Sequence, residues 1–448
     1  MTHPVRRSEL VLILCFLGII FMVPVVQTWL ECSRGERFQF TDMFRYKPTS
    51  TNLRQFERTL EEKSWFQQNL RPAMQRFLFD TLQDTGAKGM LGRDRWLFFR
   101  PDVRYLLEPN RLDPSLTEKD SRGLTWVMPS SGITRRDSVI GAIVRFRNLL
   151  KARDIELLVM PVPGKPAVYP EKITIRAEDR QTDFRSPTLE LLSELDKQGI
   201  QTVNLFAAFG LARAGLAEQH AGESLYLAQD THWTPRGADL AARTVARKLR
   251  DLGWAPPESR RYQRSTVRVK RWGDVIEMTQ ISGLRQHFGF EEVDCEQVRS
   301  STGKLLIPSS SEQAGIYKPP GAAASILVLG DSFCRIYQLP EPHTLGELSA
   351  TDDDSRHRSA ASGVEPSATK CLLPGSAGFL SLLMRELKSP VDYIVSDGGA
   401  ATDVRKKLAT NPEILEDKKV VLWEFVERDI SSGREGWEDV PLPASLEP

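Results

Sequence analysis

Ser325-Ile-Leu-Val-Leu329 runs without a break into Gly330-Asp331-Ser332-Phe333, and the reading of this stretch decides the fold. A short apolar run of this kind is the signature of a strand buried on both faces of a parallel sheet. Ending it in Gly-Asp-Ser sets a hydroxyl at the carboxyl end of the strand, where open α/β sheets hold their ligand sites. Gly330 lets the chain turn sharply, and backbone N–H groups at the start of a following helix could hold an oxyanion. Three common residues recur by chance, so the tripeptide alone is a weak sign of chemistry.

Outward from this strand, an alternation of elements is readable. Leu157–Met160 is a short apolar run, and Thr202–Phe206, Leu225–Leu227, Tyr393–Val395 and Val420–Phe425 are further strand candidates. Pro161, Pro163 and Gly164 end the first of them. Helical periodicity falls at Ser138–Leu150, Pro187–Gln198 and Gly375–Leu387. A further helix opens at Thr234-Pro235, an N-cap hydroxyl with proline at the first helical position. Ala241, Val245, Leu249 and Leu252 line one side of it, and Gly253 closes it. Strands alternating with helices predict an α/β layered fold with a largely parallel sheet. Residues 254–322 resist assignment, with Ser300–Ala324 reading as a long surface connection. Leu107–Thr134 is loop-like. Pro340–Lys370 reads as a solvated insertion whose acidic run, Asp352 to Asp354, is a soluble face rather than a metal site.

Upstream of the alternation, Leu60–Leu82 carries Trp65, Phe66, Leu70, Met74, Phe77, Leu78 and Leu82 at amphipathic helical spacing. A turn at Gly92–Arg95 then leads into a short strand, Trp96–Phe99. Near the N-terminus, Leu10 to Val26 is 17 residues without a charge, at the short end of what spans a bilayer. Arg6 and Arg7 precede it and Trp29 lies just beyond it. The positive-inside rule therefore keeps the N-terminus in the cytoplasm and puts the chain beyond Leu30 outside it. A cleaved signal peptide is the competing reading, but no small-x-small site comes after the run.

Composition limits the function classes. The 448 residues are 40% hydrophobic and 27% charged, ordinary for a globular protein. With 60 Lys+Arg against 59 Asp+Glu the formal charge is +1, so no global field attracts nucleic acid, and no nucleic-acid partner is expected. A mean hydropathy of -0.33 excludes a polytopic membrane protein. Five cysteines leave an odd number; a Cys295–Cys371 bridge is open to the spacing and no more than that. There is no Cys/His cluster, so neither a metal site nor a cofactor is expected.

The second chemical segment is Asp230-Thr231-His232-Trp233-Thr234-Pro235. In extended backbone, residues two apart point the same way. Asp230 could therefore orient His232 through Nδ1 and leave the other nitrogen to take a proton from a serine. A loop histidine beside an N-capping neighbour is the plainer alternative. Together the two segments supply an acid, a base and a nucleophile, the parts needed for acyl transfer through a serine ester.

Asp-Thr-His-Trp-Thr, followed a hundred residues on by Gly-Asp-Ser-Phe after an apolar strand, resembles the alginate O-acetyltransferase family. Four further segments resemble it in order: Gly92–Phe99, Met160–Pro170, Gly273-Asp274 and Trp423–Arg428. The resemblance spans about residues 55 to 430 and implies an SGNH-hydrolase-like three-layer fold with a mainly parallel central sheet, preceded by an N-terminal transmembrane helix. It divides the chain into 1–30 (cytoplasmic stub and anchor), 31–90 (helical stalk), 91–430 (SGNH-like domain with an insertion at about 340–370) and 431–448 (a tail read as disordered). No separate carbohydrate-binding module is expected after residue 430.

By position, the resemblance makes Ser332 the nucleophile, His232 the general base and Asp230 its orienting acid. Asp331 falls to a structural role at the turn. For the oxyanion or the sugar it offers the Ser332 amide first, then Arg335, Tyr337 and Arg428. Lys165 and Tyr169 are read as a structural loop and Trp272 as core rather than as groove residues. The implied activity is O-acetylation of a secreted, alginate-like polysaccharide in the periplasm by a protein held in the inner membrane by a single span. Its acetyl groups would come from a membrane-bound O-acyltransferase partner. Two alternatives stay open: the same residues could remove acetyl groups as a carbohydrate esterase, or the chain could be a non-catalytic component of polysaccharide export.

Overall fold

A computed structural model describes residues 7–35, 49, 53, 64–65, 69–107, 135–180, 185–219, 224–306, 316–317, 324–339, 342–343, 371–372, 374–432 and 437–443. The loop-like 108–134 and nearly all of the 340–370 insertion lie outside them. The chain divides into two compact units, Met1–Gly86 with Gln280–Leu284, and Ala87–Thr279 with Arg285–Pro448.

In the first unit, α1 (Arg7–Ser33) contains Pro24. Its Val11–Ser33 stretch is long and apolar enough to cross a membrane. Helix α2 (Arg71–Leu82) opens with proline in its first turn and carries an Arg76–Asp80 pair one turn apart at 2.7 Å. The amphipathic pattern expected over Leu60–Leu82 is thus helical from Arg71 onward; most of the earlier half lies outside the described residues.

The second unit is built on strands β1 (Gly89–Leu91), β2 (Leu97–Phe99), β3 (Glu156–Val162), β4 (Gln201–Thr202), β5 (Tyr262–Arg271), β6 (Glu291–Ser300), β7 (Ile316–Tyr317), β8 (Ile326–Gly330), β9 (Asp392–Val395) and β10 (Val420–Val426). The central sheet runs β4-β3-β10-β8-β9-β7. Its first five strands are parallel and the edge strand β7 is antiparallel to β9. This is the α/β architecture expected, a mainly parallel sheet between helical layers.

Period-2 alternation along the strands splits the core in two. Leu158, Met160, Val328, Leu422 and Val426 face one layer, where α7 (Pro235–Asp251) presents Ala238, Ala242, Val245 and Leu249. On this side α10 (Phe379–Leu387) adds Phe379, Leu380 and Leu383. Leu157, Val159, Leu327, Val421 and Trp423 face the other, against Val139, Ile143, Phe146 and Leu150 of α4 (Arg135–Lys151). Each of the larger aliphatic and phenylalanine side chains among them contributes roughly 1.5–3 kcal/mol by leaving water. Trp423 anchors its layer: Phe146 meets it edge-on at 5.2 Å, and its indole N–H donates to the Ala400 carbonyl at 2.8 Å.

Five sequence expectations change. Thr202–Phe206 is a strand only at Gln201–Thr202, because helix α6 (Leu205–Gln219) takes over the chain. Leu225–Leu227 contributes a single bridge, Tyr226 to Trp233, rather than a sheet strand. The unassigned 254–322 region holds β5 and β6, paired antiparallel and in register from Tyr262–Ser300 to Arg271–Glu291. Their outward positions are charged, with Arg268–Asp294 at 2.8 Å, so the apolar signal of a strand is missing there. Finally, part of the tail is packed: Trp437 and Leu442 are buried in the Trp423 layer, Trp437 lying 5.5 Å from the Trp423 ring. Cys295 is a free, buried thiol, which removes the Cys295–Cys371 bridge.

Candidate active site

Strand β8 delivers the chain to Gly330, where a Cβ would sit 2.5 Å from Cys334 Sγ and 2.7 Å from Glu424 Oε2. Only glycine fits there. Asp331 then fixes the turn: Oδ1 accepts from the Phe333 amide (2.8 Å), and Oδ2 from the Val426 amide (3.1 Å). Its own amide donates to Glu424 (2.9 Å). These bonds use the Asp331 carboxylate within the fold, the structural role expected of it. Ser332 comes next, at the first position of a four-residue helix, Ser332–Arg335. An amide at that position has no partner within the helix.

The Asp230 segment is a tight loop. Leu227 N–H donates to the His232 carbonyl (3.2 Å) and Thr234 N–H to that of Leu225 (2.9 Å). Thr234 caps α7 by accepting from the Gly237 amide (3.3 Å). Two buried or half-buried ions clamp the loop from the outside. Lys165 Nζ donates to the carbonyls of Leu97, Ala228 and Asp230. Glu291 accepts from the amides of Ala228 (2.6 Å) and Gln229 (2.8 Å). At Gly273 the fit is so close that a Cβ would meet the Gln229 carbonyl at 2.0 Å.

The structure brings Asp230, His232 and Ser332 together. His232 Nδ1 lies 2.6 Å from Asp230 Oδ1, and Nε2 lies 2.8 Å from Ser332 Oγ. With Nδ1–H donating to the carboxylate, Nε2 keeps its lone pair toward the serine hydroxyl. Phe333 packs on the imidazole (4.8 Å) and Trp233 meets Phe333 edge-on (5.1 Å), which fixes the ring plane.

Two residues not assigned a role from sequence complete the arrangement. Arg271, buried at the end of β5, pairs with Asp230 Oδ2 at 3.1 Å. Asp274 accepts from the Thr231 amide (2.7 Å) and hydroxyl (2.6 Å), and its Oδ2 lies 3.5 Å from His232 Nδ1. In sequence, Gly273-Asp274 is only a segment of resemblance. Burial alone would raise the Asp230 carboxyl, but Arg271 and His232 outweigh it and hold it well below the carboxylate range. Burial works against a charged His232; Asp230 and then Asp274 more than offset it, so the imidazole is raised above its ordinary value. Burial and the nearby Asp230 push Asp274 up. Asp230, His232 and Asp274 are close enough together to hold a cation. The Arg271 guanidinium already supplies positive charge to Asp230, and both imidazole nitrogens are engaged.

Ser332 and His232 open onto a cleft of about 870 Å³. Trp272, Glu277 and Arg285 form one part of its lining, Arg335 and Asp397 another, and Phe99 with Arg428 a third. Arg335 and Arg428 thus reach the cleft, each already paired: Arg335 with Asp397 at 2.8 Å, Arg428 with Asp102 at 2.9 Å. Tyr337 does not. It is fully buried, with its hydroxyl toward the Trp233 carbonyl at 3.3 Å, because a left-handed turn (φ 62°) sends it into the core. Lys165 and Tyr169 are buried supports, as expected; Tyr169 accepts from the Leu225 amide at 2.7 Å. Trp272, expected in the core, is instead half-buried in the cleft lining, stacked on Phe290 at 4.3 Å.

Residues 129–350 match the family model of the SGNH hydrolase-like domain of the acetyltransferase AlgX, a segment that includes Asp230, His232 and Ser332. The chain is 27% identical over 177 residues to the "Probable alginate O-acetylase AlgJ" of Pseudomonas fluorescens, covering 38% of this chain and 36% of that protein. It is 25% identical over 139 residues to the protein of the same name from Azotobacter vinelandii, covering 31% and 32%. The chain thus spans about a third of the length of these curated relatives. Among solved structures, it is similar to the O-acetyltransferase domain of Pseudomonas putida AlgJ (TM-score 0.48, 16% identity, 76% of this chain and 91% of that one). Pseudomonas aeruginosa AlgX gives a TM-score of 0.45 at 16% identity, over 79% and 66%. The chain is therefore AlgJ/AlgX-like in sequence.

Proposed function

We propose that this AlgJ/AlgX-like chain is an O-acetyltransferase that acetylates hydroxyls of a secreted polysaccharide, held in the inner membrane by α1 with its second unit in the periplasm. One observation carries the reading: the continuous hydrogen-bonded series Asp230–His232–Ser332, at 2.6 and 2.8 Å, at the mouth of a cleft large enough for sugar rings. The AlgX family match over the same residues supports acetyl as the transferred group.

In the first half-reaction, Ser332 Oγ attacks the acetyl carbonyl of the donor while His232 Nε2 takes the hydroxyl proton. The tetrahedral oxyanion is held by the Ser332 amide. Collapse breaks the bond to the donor oxygen, which leaves with the proton from His232, and acetyl-Ser332 remains. In the second half-reaction, a sugar hydroxyl loses its proton to Nε2 as its oxygen attacks the ester. Breakdown returns the proton to Ser332 Oγ and releases the acetylated sugar. Asp230 stabilises the imidazolium in both halves, and Arg271 keeps Asp230 ionised. The donor is an acetyl ester or its equivalent, presented by a membrane-bound O-acyltransferase partner.

The test uses the full chain in detergent with a simple aryl acetate, with and without oligosaccharide. Acetylated oligosaccharide that disappears with Ser332→Ala supports transfer. Free acetate as the sole product in both tubes overturns transfer in favour of an esterase. Unchanged polymer acetylation in cells carrying Ser332→Ala overturns the catalytic reading altogether.

A further inference from the structure

We infer that the cleft accepts a neutral, hydroxyl-rich glycan rather than a polyuronate, an inference that rests on the proposed acceptor role of this cleft. Every arginine lining the cleft is matched by a carboxylate. Arg271 pairs with Asp230 (3.1 Å) and Arg428 with Asp102 (2.9 Å). Arg335 pairs with Asp397 (2.8 Å), and Arg285 grips Glu277 with two bonds (2.6 and 2.8 Å). Asp274 and Asp429 also line the cleft. Lys88, exposed at the rim, is the one lining cation without a carboxylate partner among the described residues.

A polyuronate brings a carboxylate on each sugar ring. To bind, it must either take an arginine from Glu277 or Asp397 or lie beside those acids. The first exchanges one carboxylate for another and gains nothing; the second adds like-charge repulsion. A sugar hydroxyl has neither problem, since it donates to the carboxylate and accepts from the guanidinium of the same pair. The Arg285–Glu277 pair is also held flat: Arg285 lies 4.7 Å over the Trp272 ring, itself stacked on Phe290. Such a fixed donor–acceptor plate costs little further ordering when a sugar docks.

The experiment measures binding to full-length Ser332→Ala protein, so it is independent of turnover. The probes are a neutral β-glucan hexasaccharide and a hexauronate. Expected is binding of the neutral oligomer at least about tenfold tighter, changing by less than about twofold between about 50 and about 300 mM NaCl. In the Glu277→Gln/Asp397→Asn protein the preference narrows by about tenfold through a gain in uronate binding. Equal or tighter binding of the uronate, weakening steeply with salt, overturns the inference, as does binding of neither. Acetyl-ester cleavage by the wild-type chain is read separately. Its loss would defeat the proposed chemistry and leave the acceptor class decided by the binding data.

Discussion

The nucleophile and base segments reach the same point by different physics. Ser332 is positioned mainly by what is next to it in sequence: a buried strand, a glycine that alone fits against Cys334 and Glu424, and an aspartate that caps its own turn and ties it to Glu424 and Val426 of the neighbouring strand. His232 is positioned by residues far from it in the chain. Lys165, Glu291 and the Arg271–Asp274 segment come from three other places to clamp the loop carrying Asp230 and His232. A strand end is rigid by construction, whereas an isolated loop must be held. The base segment should therefore be the one that distant substitutions disturb.

The largest effects belong to the Asp230–His232–Ser332 series. Ser332→Ala should lower acetyl transfer by a factor of roughly 10³ or more, leaving the melting temperature unchanged. Asp230→Asn should cost activity on a similar scale, about 10³–10⁴. It should also destabilise the fold by about 3 kcal/mol in denaturant unfolding, because Arg271 is left buried beside a neutral group. An Asp230→Asn protein of wild-type stability would show that the base segment does not depend on this ion pair.

Next in size is the clamp. Lys165→Met removes a buried cation from three carbonyls and should cost about 2–4 kcal/mol of stability. Its kcat should fall with KM little changed, since the cleft surface is untouched. Loss of stability with wild-type kcat would break the contrast between the two segments.

The pH profile sharpens it further. In the proposed mechanism the working imidazole is neutral, and Asp230 and Asp274 raise it against the effect of burial. The acid limb of kcat/KM should thus lie above the ordinary histidine value of about 6.5, activity rising as pH passes through it. Asp274→Asn removes one of the raising charges and should move this limb to lower pH. A limb that stays in place would relieve Asp274 of any influence on His232.

The smallest effect is expected at Tyr337. Tyr337→Phe loses one long buried hydrogen bond, worth about 1 kcal/mol, and should leave transfer within about twofold of wild type.

The same contrast explains what the sequence made legible. The parallel sheet could be read because β3, β8 and β10 are predominantly apolar, and Asp230, His232 and Ser332 because their segments are short and local. Arg271 could not be read: it ends a charged, alternating strand whose pairing with Glu291–Ser300 is set by tertiary contacts rather than by apolar patterning. Trp272 reads as core by residue type, and only the fold of β5 turns it to the cleft. Tyr337 reads as a site residue by its closeness to Ser332, yet its positive φ aims it inward. Trp437 sits in a polar tail, and the aromatic layer that receives it is assembled from distant strands.

The most direct measurement traps the intermediate. The full chain is mixed with an acetyl ester, quenched in acid, digested and analysed by mass spectrometry. One acetyl group on the peptide containing Ser332, absent from His232→Ala protein, is the predicted result. Continued sugar acetylation with no acetyl on Ser332 would contradict the account.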